Sequence, residues 1–159
     1  MGKIAIVDIA CGFRLKGVPC SVSDGRDLAA ADTADRLIRS GLAPDSIEIL
    51  TTGAVPFSAG GKTLAQLKHE NVANLERRVL VTIIREGVGT FSEARHICAV
   101  CKRRGVTKLI IVSSSWYFWP GQGIWKRRAR EQGLEMEFLM LASLPVSRPS
   151  SLILCTQRS

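Results

Sequence analysis

The chain has 159 residues, 46% apolar and 23% charged, with a formal net charge of +8. That is enough for one sizeable core and too little for two ordinary domains, and the apolar share excludes a disordered polyelectrolyte. No apolar run approaches the roughly 20 residues of a spanning helix, so no anchor or signal peptide is expected; five unevenly spaced cysteines fit reduced thiols of a cytoplasmic protein, not a disulfide framework.

KIAIVDI from Lys3 is the first predicted strand, an apolar run that Asp8 interrupts. After the loop ACGFRLKGVPCSVSDG, a helix is predicted from about Arg26 to Ser40, with Ala30, Ala34 and Leu37 on one face and Gly41 and Pro44 at its end. SIEILTT from Ser46 is the second strand, TGAVPFSAGG its loop, and residues 62–77 the second helix. RVLVTII from Arg78 is the third strand. REGVG then leads into a helix beginning TFSE at 90–93, a capping-box pattern in which Thr90 and Glu93 satisfy helix-start donors. Ala94, Ile97, Cys98 and Cys101 form its apolar stripe and Gly105 stops it.

TKLIIVSS from Thr107 is the fourth strand, and SSSWYFWPGQG reads as the loop after it. The fourth helix then opens near Pro120 and ends at Gly133, and LEMEFLML from Leu134 is the fifth strand. Residues 1–146 thus form a single domain, and 147–159 a tail whose SLILCT run is a candidate edge strand. Near-continuous apolar strands alternating with helices give a three-layer Rossmann-like α/β sandwich with a mainly parallel sheet of five or six strands.

Ligands of such sheets bind where strands end and helices begin, which gathers the loops after the first four strands on one edge. Serine hydroxyls and a helix start suit a phosphate or carboxylate, and Trp116, Tyr117 or Trp119 a planar ring. The alternative is that Trp116, Phe118 and Trp119 bury against the sheet or between subunits of a homo-oligomer. Gly121-Gln-Gly123 opens a dinucleotide fingerprint, but Lys126 stands where its third glycine belongs. SAGGKT at 58–63 ends like a phosphate loop but has Pro56 in place of the leading glycine, which leaves at most an anion-binding helix start.

Glu86, just past a strand, is suited to orient a polar group or to carry a proton, or it pairs with Arg85 or Arg95. His96, Cys98 and Cys101 have ligand-type side chains, but the cysteines fall on a core stripe and no second pair has zinc spacing, so no metal is expected. His69 stands in a charged helix and is expected to be exposed. Two histidines and no GxSxG elbow leave a hydrolase triad unsupported. Basic clusters at 102–104 and 126–130, the latter with Lys126, Arg127 and Arg130 on one helical face, offer an alternative function in binding nucleic acid or another anionic partner.

The run IVDIACG, RLIRSGLAPDSI before a strand and TTG, Glu86 followed by Thr90, Glu93 and Ala94, and GV-x-x-LIIVSS together resemble the bacterial YdcF/SanA/ElyC-like family, over about residues 3–142. The family is a domain of unknown function with a Rossmann-like fold. Ala30 stands where its members carry an arginine, with Arg26 a further turn away. The family's histidine and arginine after the fourth strand are absent, with SSSWYFWPG in their place. The resemblance implies a nucleotide-like or S-adenosylmethionine-type ligand across the strand ends, and no particular reaction. The candidate ligand residues are Gly12, Thr52 and Gly53 at the floor, Glu86 as a polar contact, Thr90, Ser113, Ser114 and Ser115 as donors, and Trp116 as a stacking wall.

Overall fold

A computed structural model describes residues 2–11, 21–56, 58–141 and 154–157. Strand β1 (Lys3–Asp8) leads to helix α1 (Ser21–Arg39), a 3-10 turn at Pro44–Ser46 and β2 (Ile47–Thr51). Helix α2 (Leu64–Leu75), β3 (Leu80–Ile83), α3 (Thr90–Arg103) and β4 (Val106–Ser114) follow, then α4 (Ser115–Glu131), β5 (Glu135–Leu141) and β6 (Leu154–Gln157). The sheet order is β3-β2-β1-β4-β5-β6; the first five strands pair in parallel and β6 pairs antiparallel to β5. This is the expected Rossmann-like α/β sandwich.

Alternation along the central strands divides the core between two helical layers. Ile4 and Ile6 turn toward α1 and α2, where they join Ala30, Ala34 and Val72; Ala5, Val7 and Ile9 turn toward α3 and α4, where they join Ile97, Cys98 and a fully buried Trp125. Cys98 and Cys101 are therefore packing residues, and burial pushes both thiols up to about 12.

Three expected helix starts are displaced: α1 opens at Ser21, ahead of the expected Arg26, so that SVSDG is helix and not loop. Pairing between β4 and β5 runs on through Ser113 opposite Met140 and Ser114 opposite Leu141, and α4 begins at the next residue. The expected SSSWYFWPGQG loop is therefore strand end and helix. Pro120 lies within α4 and forgoes the bond its N–H would have made to the carbonyl of Trp116. At α3 the cap position is Gly89, whose φ of +83° suits glycine, and no side chain caps there. Thr90 becomes the first helical residue, so the expected capping box is absent and Glu93 is buried instead of reaching back.

Candidate functional site

The strand order reverses direction between β1 and β4: the chain leaves β1 through α1 on one face and enters β4 from α3 on the other. In open α/β sheets this reversal leaves a crevice at the carboxyl ends of the two strands. Arg26, from the start of α1, fills that position. It is fully buried, donates from Nη1 to the carbonyl of Ile9 at 2.9 Å, and from Nε and Nη2 to Ser114 Oγ at 3.1 and 3.0 Å. One guanidinium thus ties the end of β1 to the end of β4.

Ser113 alternates to the other face, toward α3 and α4. Its hydroxyl is fully enclosed and makes no hydrogen bond. Glu93 lies on the first turn of α3 and is 8% exposed. Burial raises its carboxyl to about 7, with the positive charge of Arg26 opposing the rise. The chain before α3 packs against it: a Cβ on Gly87, whose φ is +100°, would stand 3.0 Å from the Glu93 backbone.

On the α1 and α2 side, beneath the same edge, a charged cluster is sealed from solvent. Lys68 Nζ of α2 lies 2.5 Å from Asp27 Oδ1 of α1 and 3.0 Å from Asp8 Oδ1 at the end of β1. Asn71 Nδ2 donates to Asp27 Oδ2 at 2.8 Å. Burial drives the Asp8 carboxyl well above its ordinary range; Lys68 opposes this and neighbouring Asp27 adds to it. Burial alone would depress Lys68, but the two carboxylates outweigh it and its pKa is raised. Lys68 therefore stays charged, which suits an electrostatic clamp and not a nucleophile.

The other expected site residues lie at the same edge with different surroundings. Thr52 is buried, and its Oγ1 accepts from the Ala10 N–H at 2.9 Å, bracing the β1 end against the β2 end. Gly53, with φ of +112°, has no room for a side chain: a Cβ would meet Leu64 Cβ at 2.6 Å and Ala10 Cβ at 2.9 Å. Glu86 is exposed and pairs with neither Arg85 nor Arg95, but with His96 Nδ1 at 3.1 Å. Thr90 opens α3. Ser115 and Trp116 lie in the first turn of α4; their side chains, like those of Tyr117, Phe118 and Trp119, and all of Gly12, fall outside the described residues.

The glycine run at 58–63 does not leave an anion site. Thr63 and Gln66 form a complete capping box at the start of α2, and Lys62 pairs with Glu70. His69 is half-buried and not exposed, with Nε2 3.0 Å from the carbonyl of Val81. Among the described residues no group of three His, Cys, Asp or Glu side chains is placed to hold a metal, and no helix is long and apolar enough to cross a membrane.

Sequence reasoning passed over Arg26, Asp8, Asp27 and Lys68. The signal was present, because Arg26 stands one turn before Ala30 on the apolar stripe of α1, and Lys68 lies between Leu64 and Val72 on that of α2. A charge on a core stripe is a charge with a buried partner.

No protein-family model and no curated protein matches the sequence. Among solved structures, the chain is similar to E. coli tRNA N6-threonylcarbamoyladenosine dehydratase, TcdA, in complex with AMP, at TM-score 0.45 and 14% identity over 86% of this chain and 49% of that one. It is also similar to E. coli MccB with MccA, at TM-score 0.44 and 10% identity over 90% of this chain and 37% of that one. The chain spans less than half the length of either.

Proposed function

We propose that the protein binds a small anionic or adenosine-bearing molecule, of nucleotide or S-adenosylmethionine type, at the carboxyl edge of its sheet. The observation that carries this reading is Arg26: a buried cation set across the ends of β1 and β4, where the strand order reverses. A guanidinium at that crevice favours an anion or a polar ring carrying one. Membership of the YdcF/SanA/ElyC-like family and a cytoplasmic location are part of the same proposal. The first is supported by the quoted motifs, whose Thr52, Thr90, Ser113 and Ser114 fall on this one edge, and the second by the free thiols of Cys11, Cys98 and Cys101.

A thermal-shift screen against nucleotides, S-adenosylmethionine, sugar nucleotides and short RNA tests it. A compound at 100 times its dissociation constant adds about 2.7 kcal/mol to the folded state, so binding is readily seen. The expected result is a shift with an adenosine-bearing compound that weakens in Ser114→Ala. A panel in which no small molecule moves the midpoint overturns the reading.

A second reading has its own observation. At the opposite edge, Lys126 and Arg130 line a basin of about 520 Å³ floored by Ala129, Leu134 and Met136. That surface suits a polyanion and leaves the carboxyl edge as scaffold.

A further inference from the structure

Two polar groups at the carboxyl edge form no hydrogen bond among the described residues. Ser113 Oγ is enclosed without a partner, and a buried unsatisfied hydroxyl costs about 1–3 kcal/mol. Glu93, a residue 8% exposed, forms neither a hydrogen bond nor an ion pair with any described residue. Groups of this kind persist where something else comes to meet them.

A third observation lies between them. Ser114 stands at the cap position of α4, a helix of 17 residues, but its hydroxyl accepts from Arg26 and does not cap the helix. The contrast with α2, whose start is closed by its own capping box, is direct. The positive end of α4 is therefore turned to the crevice without its usual side-chain acceptor, beside the guanidinium and next to the unpartnered hydroxyl.

We propose that the start of α4 and the Ser113 hydroxyl together seat an oxyanion of the ligand, a phosphate or carboxylate group, and that Glu93 exchanges a proton with solvent as that group arrives. Ser113 donates its hydroxyl to the anion, the first N–H groups of α4 point at it, and Arg26 supplies a fixed positive charge. Two negative charges brought close in a dry site cannot both persist, so a Glu93 oxygen binds a proton; only that O–H bond is made. The charged group that acts on Glu93 is Arg26 from α1; Glu86, in the connection before α3, is paired with His96 of α3, and Arg128 of α4 bonds Glu131. A carboxyl held near 7 by burial is poised for this exchange at neutral pH. The proposal rests on the reading that the ligand occupies this edge, and it identifies the part of the ligand that is held.

Calorimetric titration of the full chain with inorganic sulfate, a tetrahedral oxyanion that does not titrate near neutrality, tests it in buffers of different ionisation enthalpy. Saturable binding is expected, with uptake of about half a proton at pH 7. Ser113→Ala, which removes an unsatisfied group and keeps the fold, is expected to weaken binding about tenfold. Glu93→Gln is expected to bind sulfate without proton uptake. Absence of saturable binding, equal affinity in Ser113→Ala, or proton uptake that survives Glu93→Gln overturns the proposal. So does binding that is lost in Lys126→Glu/Arg130→Glu and kept in Ser113→Ala, which would place the anion at the other edge. Uncharged adenosine binding without sulfate would sink this inference and leave the proposed function standing. Sulfate binding with these signatures and no adenosine-bearing ligand would do the reverse to its adenosine part.

Discussion

Glu93 makes the stability of this protein depend on pH in a direction opposite to most surface carboxylates. Its folded-state pKa of about 7 lies above the ordinary 4.5, so the folded state binds a proton that the unfolded chain has already released between those values. Stability is fully present below pH 4.5 and is lost as pH rises through 7. Glu93→Gln has no proton to lose there. Chemical denaturation at pH 4.5 and pH 8 is therefore expected to show a variant that gains about 2–3 kcal/mol on the wild type over that interval. An unchanged difference would mean that the carboxyl is hydrated and titrates normally. At the same scale lies the part of the site least legible in the sequence. The strand-end serines and Glu86 could be found because loops after parallel strands meet at one edge. Arg26, Asp27 and Lys68 could not be matched to partners, since their separations along the chain are unrelated to the packing of α1 against α2 and across the strand ends.

At the scale of elements, the fold was legible wherever apolar periodicity alone decided it. All five parallel strands fall on the expected runs, the central ones because a strand covered on both faces needs nothing but apolar residues, and β3, at the edge, because its run is apolar too. Helix starts were less legible, because a capping pattern in the sequence works only if the backbone places it at the cap. TFSE has the pattern, but Gly89 takes the cap position and carries the chain past it; Thr63 and Gln66, in a stretch read for its glycines and lysine, form the box that exists. Thr63→Ala leaves the Gln66 N–H without its acceptor and is expected to cost about 1 kcal/mol in denaturant unfolding. At α3 the cap position is Gly89, which has no side chain to lose. A Thr63→Ala variant as stable as the wild type would contradict this assignment of the α2 start.

Across the whole molecule, the charge of +8 is distributed by pairing. Arg36, Arg39, Arg78, Arg104, Arg127 and Arg128 each hold a carboxylate, which removes Arg127 from the basic helical face expected of the sequence. Lys102, Lys126 and Arg130 of the two basic clusters come together at the amino edge of the sheet. Lys126 and Arg130 line the basin, and Lys102 of α3 brings its Nζ within 3.8 Å of where a Cβ on Gly133 would stand. None of the three has a carboxylate partner among the described residues, and Lys126 and Arg130, four residues apart, lie one helical turn from each other. Three such cations neutralising phosphates of a single strand would give a slope of log affinity against log salt of about −2. If the protein binds RNA there, Lys126→Glu/Arg130→Glu should abolish that binding and leave any shift produced by a small ligand at Arg26 unchanged, because the two sites lie at opposite ends of the strands. RNA binding that ignores salt, or that falls with Ser114→Ala and survives the double variant, would place the nucleic acid at the carboxyl edge and reduce the basic basin to solvated surface.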